Sequence, residues 1–297
     1  MIFTWLILIQ IVMIVSFWPA TYSHTPSFTD WNEVEKLAEI HPYVVAILDA
    51  KHEYICSGFS IADRTVVTAG SCLAVPPAAV AISAVLGDDV IGKNILRVSH
   101  TRVHKAFTCY VSQTQPSETI MNSNVALIYV VDYKLVYFTS AAVIGDFSPF
   151  QLRKQTLTAI GFGETDAGTV VLQRQVYIQK TCVNPQWFYC VCGVEAKETT
   201  YENQFGEGGP VLLSGKVVAI AGAPCGALYI PHTSIKYNIF TVAMEYNSWI
   251  RSHQDNATIQ PEIQNMESLK FTLNNCNSSA AVVLYIITLL FVNNLIN

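Results

Sequence analysis

Charge is scarce in this chain. Only 13% of its 297 residues are charged, and 17 Lys and Arg stand against 22 Asp and Glu, for a net charge of −5. A nucleic-acid binder carries a basic face that neutralises phosphates, so no nucleic-acid partner is expected. Disorder needs low hydropathy with high charge, and the chain is 51% hydrophobic with a mean hydropathy of +0.34. No CxxC pair, internal repeat or low-complexity run occurs. Helical periodicity is also missing until near the end, which argues against a helical bundle. What is present is apolar residue, unevenly placed, and eight cysteines, a number that suits disulfides in an exported chain.

The two ends carry much of the hydropathy. Ile2 to Trp18 is uncharged and dominated by Ile, Leu, Val and Phe, and small residues flank a cut after Ser23. This pattern predicts a secretory signal peptide over residues 1–23. At the other end, Ala280 to Val292 is an apolar run of 13 residues that no Lys or Arg follows. It is shorter than the roughly 20 residues that a spanning helix prefers. With Asn277, Ser278 and Ser279 before it, the 280–297 tail reads as a GPI-attachment signal, or else as a short membrane anchor. Residues 253–279 are polar and would serve as a tether. Asn256 heads a glycosylation sequon within them. The expected location is the cell surface or the extracellular space.

Between the ends, short Val-, Ile- and Tyr-rich segments recur, bounded by Gly, Pro, Asp or Ser. They are Val44 to Leu48, Val66 to Ala69, Val80 to Leu86, Ala126 to Val131, Leu157 to Ile160, Val170 to Ile178, Val211 to Leu213 and Val217 to Ala221. Each predicts a strand. Val242, Met244, Tyr246, Trp249 and Ile250 fit one closing helix. Many short strands and a terminal helix suggest an all-β barrel or sandwich.

Three ordered segments resemble the trypsin-like serine proteases. Cys56-Ser-Gly-Phe-Ser-Ile61 with Val66-Val-Thr-Ala-Gly-Ser-Cys72 resembles CGGSLI…VLTAAHC, including the 16-residue cysteine spacing. Asn124-Val-Ala-Leu127 resembles DIAL. Gly208-Gly-Pro210 followed by Gly215-Lys-Val-Val-Ala-Ile220 resembles the end of GDSGGP and its GxLVGIVSWG strand. His41-Pro-Tyr43 and Tyr246-Asn-Ser-Trp-Ile250 add weaker matches, so the resemblance spans the 41–252 domain. It implies two packed six-stranded antiparallel β-barrels, a C-terminal α-helix and a cleft between the barrels.

The family chemistry needs a hydroxyl nucleophile, an imidazole base and a carboxylate that orients the base. By resemblance the base falls on Ser71, the orienting carboxylate on Asn124 and the nucleophile on Glu207. A second gap placement deletes the nucleophile and moves Glu207 one position back. Losing one triad member costs on the order of four to six decades of turnover in a triad enzyme. In the ungapped register the oxyanion-loop glycine becomes Phe205 and the activation aspartate becomes Gly206. The 24–40 segment contains no IVGG activation site. The pocket floor falls on Tyr201 or Glu202, and its wall reads Gly222-Ala223-Pro224. No cofactor is implied. Gly161-Phe-Gly163 resembles the family's GWG turn rather than a nucleotide loop. Ser71, Asn124 and Glu207 offer one good metal ligand where zinc wants three or four, so no metal is expected either.

The resemblance pairs Cys56 with Cys72, and Cys182 with Cys192, with Cys190 a competitor for that second role. Cys225 has lost its family partner, since that position holds Asn203 or Gln204, and its pairing stays open together with Cys109, Cys190 and Cys276. The substituted triad leads to the expectation of an inactive homologue that binds an extracellular protein as adaptor, cofactor or decoy. The alternatives are a peptidase with a displaced nucleophile, Ser71 or Ser57, and a structural cell-surface protein.

Overall fold

The computed structural model describes residues 31–82, 85–86, 95–110, 120–131, 140–165, 168–180, 190–196, 206–222, 228–229 and 236–254. Residues 1–30 and 255–297 lie outside them, which takes in the expected signal peptide, Asn256 and the apolar tail; of the expected tether only His253 and Gln254 are described, and His253 ends the closing helix. Among the described residues no helix is long and apolar enough to cross a membrane.

The first half contains β1 (Val44–Leu48), β2 (Tyr54–Ala62), β3 (Thr65–Thr68), β4 (Ala79–Ala81), β5 (Val85–Leu86), β6 (Ile95–Val103), β7 (Thr108–Tyr110), β8 (Ile120–Asn122) and β9 (Ala126–Val130). Six of them close into an antiparallel barrel in the order β1-β2-β3-β9-β6-β4. Its register is set by pairs such as Val44 with Phe59, Ile47 with Cys56 and Val66 with Ile128. β1 and β9 are buried along their whole length. One core cluster joins Val44, Ile47 and Phe59 of this barrel to Ile160, Phe162, Leu172 and Ile220 of the second half. Strands covered on both faces read as unbroken apolar runs instead of alternating ones, and VVAIL and ALIYV do so.

The second half contains β10 (Thr156–Glu164), β11 (Val170–Lys180), β12 (Cys190–Glu195), β13 (Pro210–Leu213), β14 (Lys216–Gly222), β15 (Leu228–Tyr229) and β16 (Lys236–Val242). The order β10-β13-β14-β16-β12-β11 closes on itself because β11 also pairs with β10, from Thr156 with Ile178 to Glu164 with Val170. This ring encloses Leu152, Leu157, Tyr177, Val191, Val211, Val218 and Phe240. β5 adds to the ring at β11, and β15 at β16. The two six-stranded antiparallel barrels and the short C-terminal helix are those the resemblance implies.

Three local expectations are corrected. Val80 to Leu86 is not one strand: Ala79–Ala81 pairs with β1 and β6, whereas Val85–Leu86 pairs with β11 of the other sheet. The chain changes sheets there, which an unbroken apolar run does not disclose. The closing helix does not include Val242, which ends β16 and pairs with Ala219. A 3₁₀ turn over Met244–Tyr246 intervenes before the helix Asn247–His253. Finally, the 24–40 segment holds a helix over Trp31–Ile40 (α1), so the closing helix is α2. Only Val34 and Leu37 of α1 are buried, although Trp31, Val34, Leu37 and Ala38 do repeat at helical spacing in this ten-residue stretch. α1 lies on β11, where Glu33 accepts from Arg174 at 3.1 Å. Both side chains are more than half exposed, so the pair contributes little.

Candidate functional site

β3 runs out of the first barrel into the 3₁₀ turn Gly70–Ala74, which carries Ser71 and Cys72. Asn124 stands just before β9, and Glu207 just before β13. The structure brings the three side chains together. The Ser71 backbone N–H donates to Asn124 Oδ1 at 2.8 Å. Asn124 Nδ2 donates to Ser71 Oγ at 3.2 Å, and Ser71 Oγ donates to Glu207 Oε1 at 2.5 Å. Amide, hydroxyl and carboxylate thus form a chain in which each proton points toward Glu207. Asn124 is 1% exposed and Ser71 8%, while Glu207 is half-buried.

Cys56 and Cys72 are bridged, with S–S 2.13 Å and Cα–Cα 5.8 Å. Glu207's carboxylate lies within 4.8 Å of both sulfurs. The sulfurs are spent on each other, so this trio leaves a single carboxylate and no thiolate to hold a metal.

A second polar junction sits beside the first. Tyr54 Oη donates to the Phe162 carbonyl at 2.9 Å. The Phe162 N–H donates to Ser57 Oγ at 2.8 Å, and Ser57 Oγ, 3.0 Å from Tyr54 Oη, returns its own proton to that oxygen. Thr68 Oγ1 donates to the Ser57 carbonyl at 2.8 Å, and the Ser57 N–H donates to the Glu207 carbonyl at 2.6 Å. Burial pushes the Tyr54 hydroxyl far above the usual phenol range; the Ser57 bond opposes this and the charge of Glu207 adds to it. Tyr54 therefore stays a neutral donor. Sequence reading missed it. The available signal was a polar aromatic two residues before Cys56.

Backbone freedom fixes the loop that carries Glu207. Gly208 has φ +81°, and a Cβ there would stand 2.2 Å from Thr68 Oγ1 and 2.3 Å from the Ser57 carbonyl oxygen. Only glycine fits a positive φ at so close an approach. The Gly206 N–H donates to the Phe162 carbonyl at 3.0 Å, and the Gly208 N–H to Ala221 at 2.8 Å. The loop is thereby tied to β10 and β14.

Gly222 ends β14, paired with Ile239. Tyr201, Glu202, Phe205, Ala223 and Pro224 lie outside the described residues, as do Cys182, Cys225 and Cys276. Cys192 is disulfide-bonded. Cys190, its competitor, keeps its thiol, which burial pushes up to about 12. Cys109 lies in β7, opposite Met121. The described imidazoles are engaged elsewhere. His41 meets Tyr43, His100 stacks on Tyr129, and His104 and His253 flank Trp249. His52 sits in the β1–β2 turn at φ +65°.

The sequence profile of the family described as Trypsin matches residues 31–250. The chain belongs to the trypsin family. Among solved structures it is similar to HL collagenase, with 19% identity over 72% of this chain and 94% of that one and a TM-score of 0.51. It is also similar to neuropsin, a serine protease expressed in the limbic system of mouse brain, with 17% identity over 72% of this chain and 95% of that one and a TM-score of 0.52. At such identities the likeness is one of fold. No curated protein matches the chain.

Proposed function

We propose that this trypsin-family chain is a catalytically inactive serine-protease homologue, exported, held at a membrane by its C-terminal tail, and acting by binding an extracellular protein. The observation that carries this reading is the direction of the bond from Ser71 to Glu207. Triad chemistry needs the group at the base position to take a proton from the nucleophile. Here Ser71 stands at that position and gives its proton to Glu207. Asn124 donates a neutral amide hydrogen to Ser71, and a neutral amide offers no charge to stabilise a protonated base. A carboxylate beside the oxyanion position would also repel the charge that acyl transfer develops. The contact between Glu207 and Ser71 supports the ungapped register, in which Gly206 takes the place of the aspartate that would pair with a newly cut amino terminus. Retention of the disulfide and of the Gly208-Gly209 turn supports a fold kept for binding.

One observation favours a second reading. The 2.5 Å bond offers Glu207 as a base for Ser71 acting as displaced nucleophile. Ser71 stands at the family's base position and Glu207 at its nucleophile position, so this reading needs both roles exchanged and ranks second. Peptide hydrolysis by the purified chain and by Ser71→Ala separates the two. Neither should exceed background; activity in the parent that vanishes in Ser71→Ala would establish the enzyme. Tethering has its own assay, in which phosphatidylinositol-specific phospholipase C should release a GPI-anchored form from cells. Retention on the membrane together with a C-terminal tag would instead mark the tail as a true anchor.

A further inference from the structure

The closing helix docks on the first barrel through imidazoles. His104, in the turn after β6, meets Tyr246 edge-on at 5.2 Å and Trp249 at 5.0 Å. His253 lies on the other side, 5.2 Å from Trp249, with its Nδ1–H donated to the Trp249 carbonyl at 2.7 Å. Two hydrogen bonds hold the helix end: Tyr129 Oη to the His253 carbonyl at 2.8 Å, and Thr65 Oγ1 to the Gln254 carbonyl. Tyr129 is itself covered by His100, stacked at 4.3 Å.

The geometry fixes a neutral His104. Its Nδ1 accepts the Ala106 N–H at 3.3 Å, a role that only an unprotonated ring nitrogen fills. The titratable and charged groups that face it among the described residues are Lys105 on its own turn and His253 on α2. Nearby Glu245 is exposed, and Arg251 is held by Asn247 Oδ1 at 3.0 Å. Around His100 the charges are Arg102 and Arg64. A proton on either ring would thus meet cations. Burial first, then Lys105 and His253, hold His104 below its ordinary value; burial, then Arg102 and Arg64, do so for His100.

We propose that His104, backed by His100, makes the docking of α2 an acid-sensitive latch: as pH falls through the imidazole range, α2 loosens from the first barrel while the second barrel stays closed. A proton on His104 removes the acceptor for the Ala106 N–H and adds a charge opposite Lys105 and His253. α2 is the last element of the described residues, with Gln254 after it. The candidate site feels the latch, because Tyr246 Oη donates to Ser123 Oγ at 3.2 Å, next to Asn124.

Amide hydrogen exchange on the full chain tests the latch, with rates corrected for intrinsic pH dependence. Between about pH 7.5 and about pH 5.5, protection of residues 247–253 should fall, while β14 keeps its protection. In His104→Gln, which carries no titrating ring, the fall should shrink. Equal protection of α2 at both pH values, or the same fall in His104→Gln, overturns the proposal. If that variant does not fold, an NMR titration of His104 in the parent decides. A midpoint below about 6.5 is expected, and one at or above it rules the latch out.

Discussion

Two hydroxyl networks lie side by side between the barrels, and they differ in what surrounds them. Ser57 is fully buried; it accepts from Phe162, donates to Tyr54, and has its backbone tied to Thr68 and Glu207. Ser71 opens toward a half-buried carboxylate and a neutral amide. The first network ties β2 to β10 across the barrel junction. The second occupies the positions that the resemblance assigns to the family's triad, and its protons run from Asn124 through Ser71 to Glu207. Under the proposed function, the same functional group is structural in one setting and idle in the other because its partners, not its own reactivity, set its role.

Substitutions separate the two networks. The largest effect should come from Gly208→Ala, where the new Cβ would strike Thr68 Oγ1 and the Ser57 carbonyl oxygen at a positive φ. A loss of about 3–5 kcal/mol is expected, read by thermal or denaturant unfolding. Unchanged stability would show that the loop repacks freely. Ser57→Ala should cost about 1–3 kcal/mol by orphaning the buried Phe162 N–H. Ser71→Ala should cost less than about 1 kcal/mol, since half-buried Glu207 regains water. Equal losses at the two serines would erase the distinction between the networks.

Acid should act on the fold at a smaller scale. Burial lowers the pKa of His41, His100 and His104, and Arg174 adds to the effect at His41. The folded chain then binds fewer protons than the unfolded one, so stability rises with pH through the imidazole range. The contribution is fully present above about 6.5 and is lost as pH falls from there through the lowered folded values. Melting temperatures from about pH 8 to about pH 5 should decline accordingly, without a matching loss on the alkaline side.

Much of this arrangement is legible in the sequence. Cys56 and Cys72 sit in motifs whose order implies both the bridge and the barrels, and the same motifs mark Ser71, Asn124 and Glu207, which the fold brings together. Their hydrogen-bond directions are not legible, because which atom donates depends on side-chain orientation. α1 is legible in principle, since Trp31, Val34, Leu37 and Ala38 repeat at helical spacing, but the stretch is short and stands ahead of the strands that carry the resemblance. The closing helix is placed too early because Val242 suits a strand and a helix equally well until its pairing with Ala219 is known. Tyr54 escapes notice because its partners, Ser57 and Phe162, come from strands that only the packing of the two barrels brings together.

Labelling of the purified full chain with a fluorophosphonate probe, beside an active trypsin-family control, tests the central claim most directly. Such a probe captures a serine only when a base takes its proton and donors hold the developing oxyanion. The account predicts no covalent adduct on this chain under conditions that label the control completely. Stoichiometric labelling, mapped to Ser71 or to any other serine, would contradict it.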